Sequence, residues 1–333
     1  MDAAMMLAGD VGGTKTYLAL YRYEKASGTF AAQAEARYTT ADYTSLGQLL
    51  KAFLTQTGQT VRRLAVGVPG PVRQLPVRAV NLPWLIDPQE MRRTTGVEHV
   101  HLLNDLEATS YGTRALAPED VVALNPAAAD PEGNVAVIAA GTGLGEGGLC
   151  WSGSRYVAIA SEGGHTSFSP TSELEVELWR YLTARVGHVS WERIVSGPGL
   201  TSIYSFLRDS GRGEEPAWLR DELAAARDQA GVIAQAAGRC DLAESALELF
   251  VSLYGAEAGN LALKLMATGG VYVAGGIAPR IASRLQQARF MESFLSKGRL
   301  RPALQQVPVS VVLNDKAALL GAAYRCAQLE GLA

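Results

Sequence analysis

Three glycine-rich stretches, each behind an apolar run, and a few carboxylates are where this chain could do chemistry. Gly9-Asp10-Val11-Gly12-Gly13-Thr14 separates two apolar runs near the start. Glycines permit positive φ and close approach, so their N–H groups can point at phosphate oxygens, an aspartate can hold a hydrated Mg2+, and a threonine can donate its hydroxyl. Phosphate binding is the chemistry these residues suit, with Asp10 reaching the metal through water; alone, they equally suit a plain hairpin turn. Gly141-Thr142-Gly143, after VAVIAA, supplies a second loop of this kind. Gly143, Gly145 and Gly148, with Glu162 further on, also fit a dinucleotide pattern, but the strand-like GGLCW follows where that pattern needs a helix. Gly275-Gly276-Ile277-Ala278-Pro279-Arg280 comes after VYVA, where a Gly-Gly turn opening a helix leaves a flat surface for adenine and ribose.

Asn104-Asp105 closes an apolar strand. Phosphoryl transfer to an alcohol needs a carboxylate to accept the hydroxyl proton, and a neighbouring amide can fix adjacent hydroxyls. A helix N-terminus would keep Asp105 ionised; the same pair also suits a helix cap and nothing more. Glu162-Gly163-Gly164-His165, with Glu192 in HVSWERIVSGPG, offers carboxylates and an imidazole to sugar hydroxyls, on a loop thin enough to pass close to a ligand. One His and one Glu are too few for zinc. Glu192 alone also reads as a solvated surface residue.

The elements that must position these residues follow from periodicity. Over 333 residues, 48% hydrophobic and 19% charged, the composition is globular and long enough for two domains. A net charge of −3 with scattered Lys and Arg offers no stripe for nucleic acid. No uncharged apolar run reaches the ~18 residues of a membrane span, and the opening residues lack the charged region of a secretory signal; a cytoplasmic setting is expected. Cys150, Cys240 and Cys326 are far apart, without a CxxC pair, and are expected as buried, reduced thiols. The first glycine loop tips a hairpin. Leu46, Leu49, Leu50, Phe53 and Leu54 predict a helix, before a strand LAVGVP, a loop with Pro69, Gly70 and Pro71, and a run ending at NLPW. VEHVHLLND predicts a strand and Asp105 onward a helix, capped by Asn104 or Asp105, so the first third is a mixed α/β sheet. A second strand-rich block carries the second glycine loop. Residues 173–267 read as mostly helical, with Asp241 and Glu244 spaced as a capping box. A strand GVYVAGG, a helix APRIASRLQQ, a strand PVSVVLND and a closing helix from Lys316 complete the chain, the last expected to return to the first domain.

Taken together, GDVGGT, NDLEA, GTGLG, EGGHTSF, GHVSWERIVSGPGL and VAGGIAPR, in this order, resemble bacterial glucokinases of the hexokinase and actin-like ATPase group, from about residue 6 to residue 325. The resemblance implies a two-domain α/β actin-like ATPase (ribonuclease H-like) fold with an interdomain cleft. Residues 1–115 with 315–333 would form a small domain and 116–314 a large one. It implies a homodimer that transfers the γ-phosphate of ATP, with Mg2+, to the 6-hydroxyl of glucose. Matched motif by motif, Asp105 resembles the general base, and Asn104, Asp105, Glu162, His165 and Glu192 the glucose ligands. Gly9, Asp10, Gly12, Gly13 and Thr14 resemble the first phosphate loop, Gly141, Thr142 and Gly143 the second, and Gly275 and Gly276 the adenosine wall. Two departures stand out: Lys15, where many of these enzymes have Asn, and the acidic Glu146-Gly147-Gly148. The rivals are a kinase for another hexose, such as mannose or an N-acetylhexosamine, and a sugar sensor without catalysis. A related repressor group has a Cys-rich zinc motif and often a DNA-binding helix pair, and this sequence shows neither.

Overall fold

Apolar runs flanked by turn residues become the strands, and the computed structural model describes residues 4–333 apart from 71, 73, 80, 81 and 83. Pro71 of the expected loop, and Asn81 and Pro83 of the run to Trp84, lie outside the described residues. β1 (Ala4–Val11) and β2 (Lys15–Glu24) form the expected hairpin, with Val11 opposite Thr16. β3 (Thr29–Thr39) extends it antiparallel, with a register shift between Leu20 and Tyr21. α1 (Leu46–Thr57) buries the five predicted apolar residues; Ser45 caps it by accepting from the Gln48 N–H at 3.1 Å, and left-handed Gly58 ends it. β4 (Arg63–Val68) follows, then the short pair β5 (Val77–Arg78) and β6 (Leu85–Ile86). α2 (Pro88–Thr95), β7 (His99–Asn104) and α3 (Asp105–Gly112) complete this stretch. The sheet order is β3-β2-β1-β4-β7. Because β1, β4 and β7 are parallel, Val11, Val68 and Asn104 end on one edge, where open α/β sheets hold their ligands.

The second sheet is built from β8 (Val121–Ala123), β9 (Val135–Ala140), β10 (Leu144–Trp151) and β11 (Tyr156–Ile159), and from two later strands. The helical stretch is α4 (Glu173–Val186), α5 (Gly197–Asp209), α6 (Ala217–Ala225), α7 (Gln229–Ala236) and α8 (Asp241–Leu265). β12 (Gly270–Ala274), α9 (Ala282–Leu285), α10 (Ala288–Phe294), α11 (Arg301–Leu304) and β13 (Val309–Val312) follow. The order is β11-β10-β9-β12-β13-β8, with β9, β12 and β13 parallel and the other three antiparallel to their neighbours. The fully buried rings of Phe250, Tyr254, Phe290 and Phe294 belong to a single core with the apolar residues of β9, β12 and β13.

α12 (Ala317–Leu329) closes the chain against α3. The two helices meet through glycines: a Cβ at Gly321 would lie 1.7 Å from the Ala108 carbonyl oxygen, and one at Gly112 2.1 Å from that of Ala317. The chain divides into two compact units, one of residues up to Asp120 with Asn314–Ala333 and one of Val121–Leu313. Among the described residues no helix is long and apolar enough to cross a membrane.

Three expectations are corrected. Asp241 and Glu244 do not form a capping box: the N-cap of α8 is Cys240, without a side-chain bond, and Glu244 instead takes Arg284 on both oxygens at 2.5 and 2.8 Å. The helix expected over APRIASRLQQ is a 3-10 turn, Ala278–Ile281, followed by the four-residue α9. Cys240 and Cys326 are buried but Cys150 is exposed; all three are free.

Candidate active site

In the first unit, Asp10 sits near the end of β1, paired with Gly67 of β4. A Cβ at Gly67 would lie 3.1 Å from that of Ala108 and 3.8 Å from the Asp105 Cα, so the missing side chain lets the first turn of α3 settle on the sheet and brings Asp105 beside Asp10. Asp10 is half-buried, and its carboxyl is pushed up to about 6, by burial first and by the charge of Asp105 second. Asp105 is exposed, at the first position of α3, where its Oδ1 accepts from the Leu106 N–H at 2.8 Å. Two carboxyls that raise each other's cost of ionisation suit a cation between or near them, so Asp10 fits the expected Mg2+. Among the described residues no three His, Cys, Asp or Glu side chains are grouped so as to hold a metal ion.

Asn104 is the N-cap. Its Oδ1 accepts from the N–H groups of Leu106 at 3.0 Å and Glu107 at 3.3 Å, while Glu107 accepts from the Asn104 N–H at 3.4 Å, a complete capping box. Its amide donates to the Gly70 carbonyl at 3.1 Å, which leaves one amide hydrogen for a ligand. At the hairpin tip, neither Gly12 nor Gly13 uses the positive φ that glycine permits. Gly12 is instead required by space, since a Cβ there would lie 2.9 Å from the Lys15 carbonyl oxygen. Gly9 is likewise tight, with the side chains of Leu18 and Val66 at 3.1 Å from its Cβ position. Gly13 and Thr14 are exposed, and Thr40 pins them: its N–H donates to the Thr14 carbonyl at 3.0 Å and its hydroxyl to that of Gly12 at 2.8 Å.

In the second unit, Gly141, exposed Thr142 and Gly143 form the tight turn between β9 and β10, closed by the Gly141 N–H on the Gly143 carbonyl at 2.9 Å. β10 returns antiparallel, so the dinucleotide context is absent here. The Gly141 carbonyl also accepts from Gly197, the first residue of α5, at 2.9 Å. Gly275 meets the same loop. It has φ 85°, and a Cβ there would lie 2.3 Å from the Ala140 carbonyl oxygen, which also accepts from the Ile277 N–H at 3.2 Å. Nothing stands within 4 Å of the Cβ position of Gly276.

Glu162, His165 and Glu192 are brought together beside that loop. His165 Nε2 is 4.0 Å from Glu162 Oε2, and its Nδ1 is 3.9 Å from Glu192 Oε1. Both separations exceed a hydrogen bond, so these polar atoms remain available to a ligand. Glu192 is half-buried rather than solvated, and its Oε2 accepts from the Leu144 N–H at 3.0 Å, tying it to the second glycine loop. Glu162 precedes and His165 ends a 3-10 turn, Gly163–His165, laid flat on β10: a Cβ at Gly164 would lie 2.1 Å from the Leu144 carbonyl oxygen.

A family model for glucokinase matches residues 7–329. This chain belongs to the glucokinase family. The glucokinase of a Synechocystis species is 40% identical over 346 aligned positions, spanning 97% of this chain and 98% of the relative. That of Nostoc punctiforme is 37% identical, spanning 98% and 99%. Among solved structures, a glucokinase from an Antarctic psychrotroph matches with a TM-score of 0.87 at 29% identity, over 98% of this chain and all of that one. As a member of the glucokinase family, the chain is an ATP-dependent hexose kinase that phosphorylates glucose.

Seen as a glucokinase, the chain has supporting residues that its motifs did not announce. Glu107 could have been found, because it stands three positions after Asn104 as a capping box requires. Thr40 and Gly67 act on the first loop and on Asp105 across long sequence separations, and no local spacing marks them. Glu146, noted only as a departure, proves to be buried under the Gly163–His165 turn.

Proposed function

We propose that the glucokinase reaction of this chain uses Asp105 as general base toward the 6-hydroxyl of glucose, with Asn104, Glu162, His165 and Glu192 holding the other hydroxyls. The observation that carries this is the carboxyl pair at the sheet edge: Asp10 is paired with Gly67, whose missing side chain lets Asp105 settle beside it, and the Asp10 carboxyl is raised by burial first and by the charge of Asp105 second. The N-terminus of α3 places positive helix-dipole charge at this carboxyl, which favours an anion there. As the O6–P bond forms, the hydroxyl proton passes to the Asp105 carboxylate and the bond from the γ-phosphorus to the bridging oxygen breaks, releasing ADP. Asp10 and Thr14, with Gly9, Gly12 and Gly13, hold one part of the Mg2+·ATP phosphates; Gly141, Thr142 and Gly143 hold another, and Gly275 and Gly276 face the adenosine. Mg2+, when bound, neutralises phosphate charge.

The same reading includes an actin-like fold in which the small domain supplies the base and first loop, the large one the sugar and adenosine contacts, and an interdomain cleft the substrates' place; compaction on glucose addition, read by small-angle scattering, tests it. A cytoplasmic homodimer completes the reading, tested by light scattering in solution.

ADP release with Mg2+·ATP and glucose, mannose, fructose, galactose or N-acetylglucosamine tests the assignment. Glucose should be turned over best, and Asp105→Asn should lose about 10²-fold or more in kcat while still binding glucose by thermal shift. Near-normal turnover in that variant would remove Asp105 from the role of base.

A further inference from the structure

We propose that Glu146 is a positioning residue for the hexose site: its side chain is the floor on which the Gly163–His165 turn rests, and through that turn it sets where Glu162 and His165 meet the sugar. The inference rests on the reading of Glu162 and His165 as hexose ligands.

Glu146 is 1% exposed, in the middle of β10. A Cβ at Gly163 would lie 2.3 Å from its Oε2, 3.0 Å from its Cβ and 3.1 Å from its Cδ, so Gly163 and the Glu146 side chain are in direct contact and no larger residue fits at 163. Both carboxyl oxygens of Glu146 are fully buried, and their polar neighbour is the Glu257 carboxyl, with which a hydrogen bond forms only when one of the two acids holds a proton. The neighbouring acid is Glu257 of α8, fully buried, and it is served on both sides: Asn260 Nδ2 donates to Oε2 at 2.6 Å and Lys264 Nζ to Oε1 at 3.0 Å. Of two buried acids close together, the one without further donors is the costlier to ionise, here Glu146. The titratable groups around Glu146 are Glu257, Lys264 and Tyr254 of α8, with Lys297 near Glu257; Glu162 and His165, on the turn above, are exposed. Burial, and then the charge of Glu257, push the Glu146 carboxyl up to about 8.

A buried acid whose polar neighbour is a second acid calls for an explanation, since an apolar side chain would be more stable there. Its position supplies one. As a neutral acid, Glu146 fills the space under Gly163; ionised, it places a buried negative charge beside the Glu257 carboxyl and draws in water, which lifts or shifts the turn. Glucose binding should then be lost with the proton, while the base and the phosphate loops are untouched.

The test is the pH dependence of the glucose KM and kcat between pH 7 and 9.5, for wild type and Glu146→Gln, with Glu162→Gln at pH 7 as an independent check of the hexose site. If only the neutral form binds, the wild-type KM climbs toward about tenfold per pH unit above the midpoint, because the competent fraction falls by that factor. The expected kcat stays nearly level. Glu146→Gln, neutral at every pH, should match the wild-type KM at pH 7 and stay flat. Parallel profiles in the two proteins, or a flat wild type, overturn the proposal while leaving the hexose site in place. An unchanged glucose KM in Glu162→Gln overturns the reading of the turn as hexose site, and the proposal with it. Should Glu146→Gln fail to fold, the glucose-induced rise in wild-type Tm across the same range decides: a rise that shrinks with pH supports the proposal, and a constant one overturns it.

Discussion

Burial and the charge on Asp105 together lift the Asp10 carboxyl to about 6, against 3.8 for an ordinary aspartate. A folded-state value raised in this way contributes stability that is fully present below pH 3.8 and is lost as pH rises through 6. Asp10→Asn, which never ionises, should therefore melt above wild type at pH 7.5, by on the order of 1–3 kcal/mol, and lose that advantage near pH 4. Thermal melts at the two values check it. Nucleotide binding runs the other way. If the ionised form of Asp10 helps hold Mg2+·ATP, the wild-type KM for Mg2+·ATP should rise as pH falls below 6, and Asp10→Asn should bind nucleotide poorly at every pH despite its stability. A variant both more stable and less active marks a residue kept for chemistry rather than for the fold.

At the scale of elements, the contact of α3 with α12 decides how firmly Asp105 is held. Gly321 has no room for a methyl group, because the Ala108 carbonyl oxygen stands 1.7 Å from its Cβ position. Gly321→Ala must push the helices apart, at a cost of about 1–3 kcal/mol, and the displaced α3 carries Asp105 with it. Urea denaturation should show the loss of stability, and kcat should fall with little change in the Mg2+·ATP KM. Nothing in KAALLGAAYR marks Gly321 as different from its small neighbours, because its partner lies more than two hundred residues away. The same limit explains the misread cap of α8, where Asp241 and Glu244 have the right spacing but Arg284 claims Glu244 from 40 positions on. It also hides Thr40, whose bonds to Gly12 and Thr14 span the length of the hairpin and its third strand. What was legible was local: the apolar period of α1, the hairpin at Gly12-Gly13-Thr14, the start of α3 at Asp105, and the glycine turns between strands. These depend on neighbours within a few positions. Partners chosen by tertiary packing leave no such trace.

At the scale of the whole molecule, chain order and compact units do not coincide. Val121–Leu313 is continuous and contains its own six-stranded sheet and the large core around α8. The other unit is interrupted: its sheet is complete by Asn104, yet the surface of α3 stays uncovered until α12 arrives. Tyr111 and Tyr324 stack with ring centroids 6.2 Å apart, Arg63 and Glu330 pair at 3.2 Å, and Lys316 pairs with Glu35, all between the early and the last residues. A fragment of residues 121–313 should therefore fold alone with a cooperative melt, whereas residues 1–120 should not. Joining the pieces is sterically simple, because Asn314 Nδ2 donates to Asp120 Oδ1 at 3.0 Å, so the two chain ends already meet. Residues 1–120 linked through a few glycines to 314–333 should regain a cooperative transition, read by circular dichroism and amide-exchange protection of β1, β4 and β7. If residues 1–120 fold equally well without the added helix, α12 is an accessory rather than the closing piece of the unit, and the expected effect of Gly321→Ala on Asp105 loses its basis.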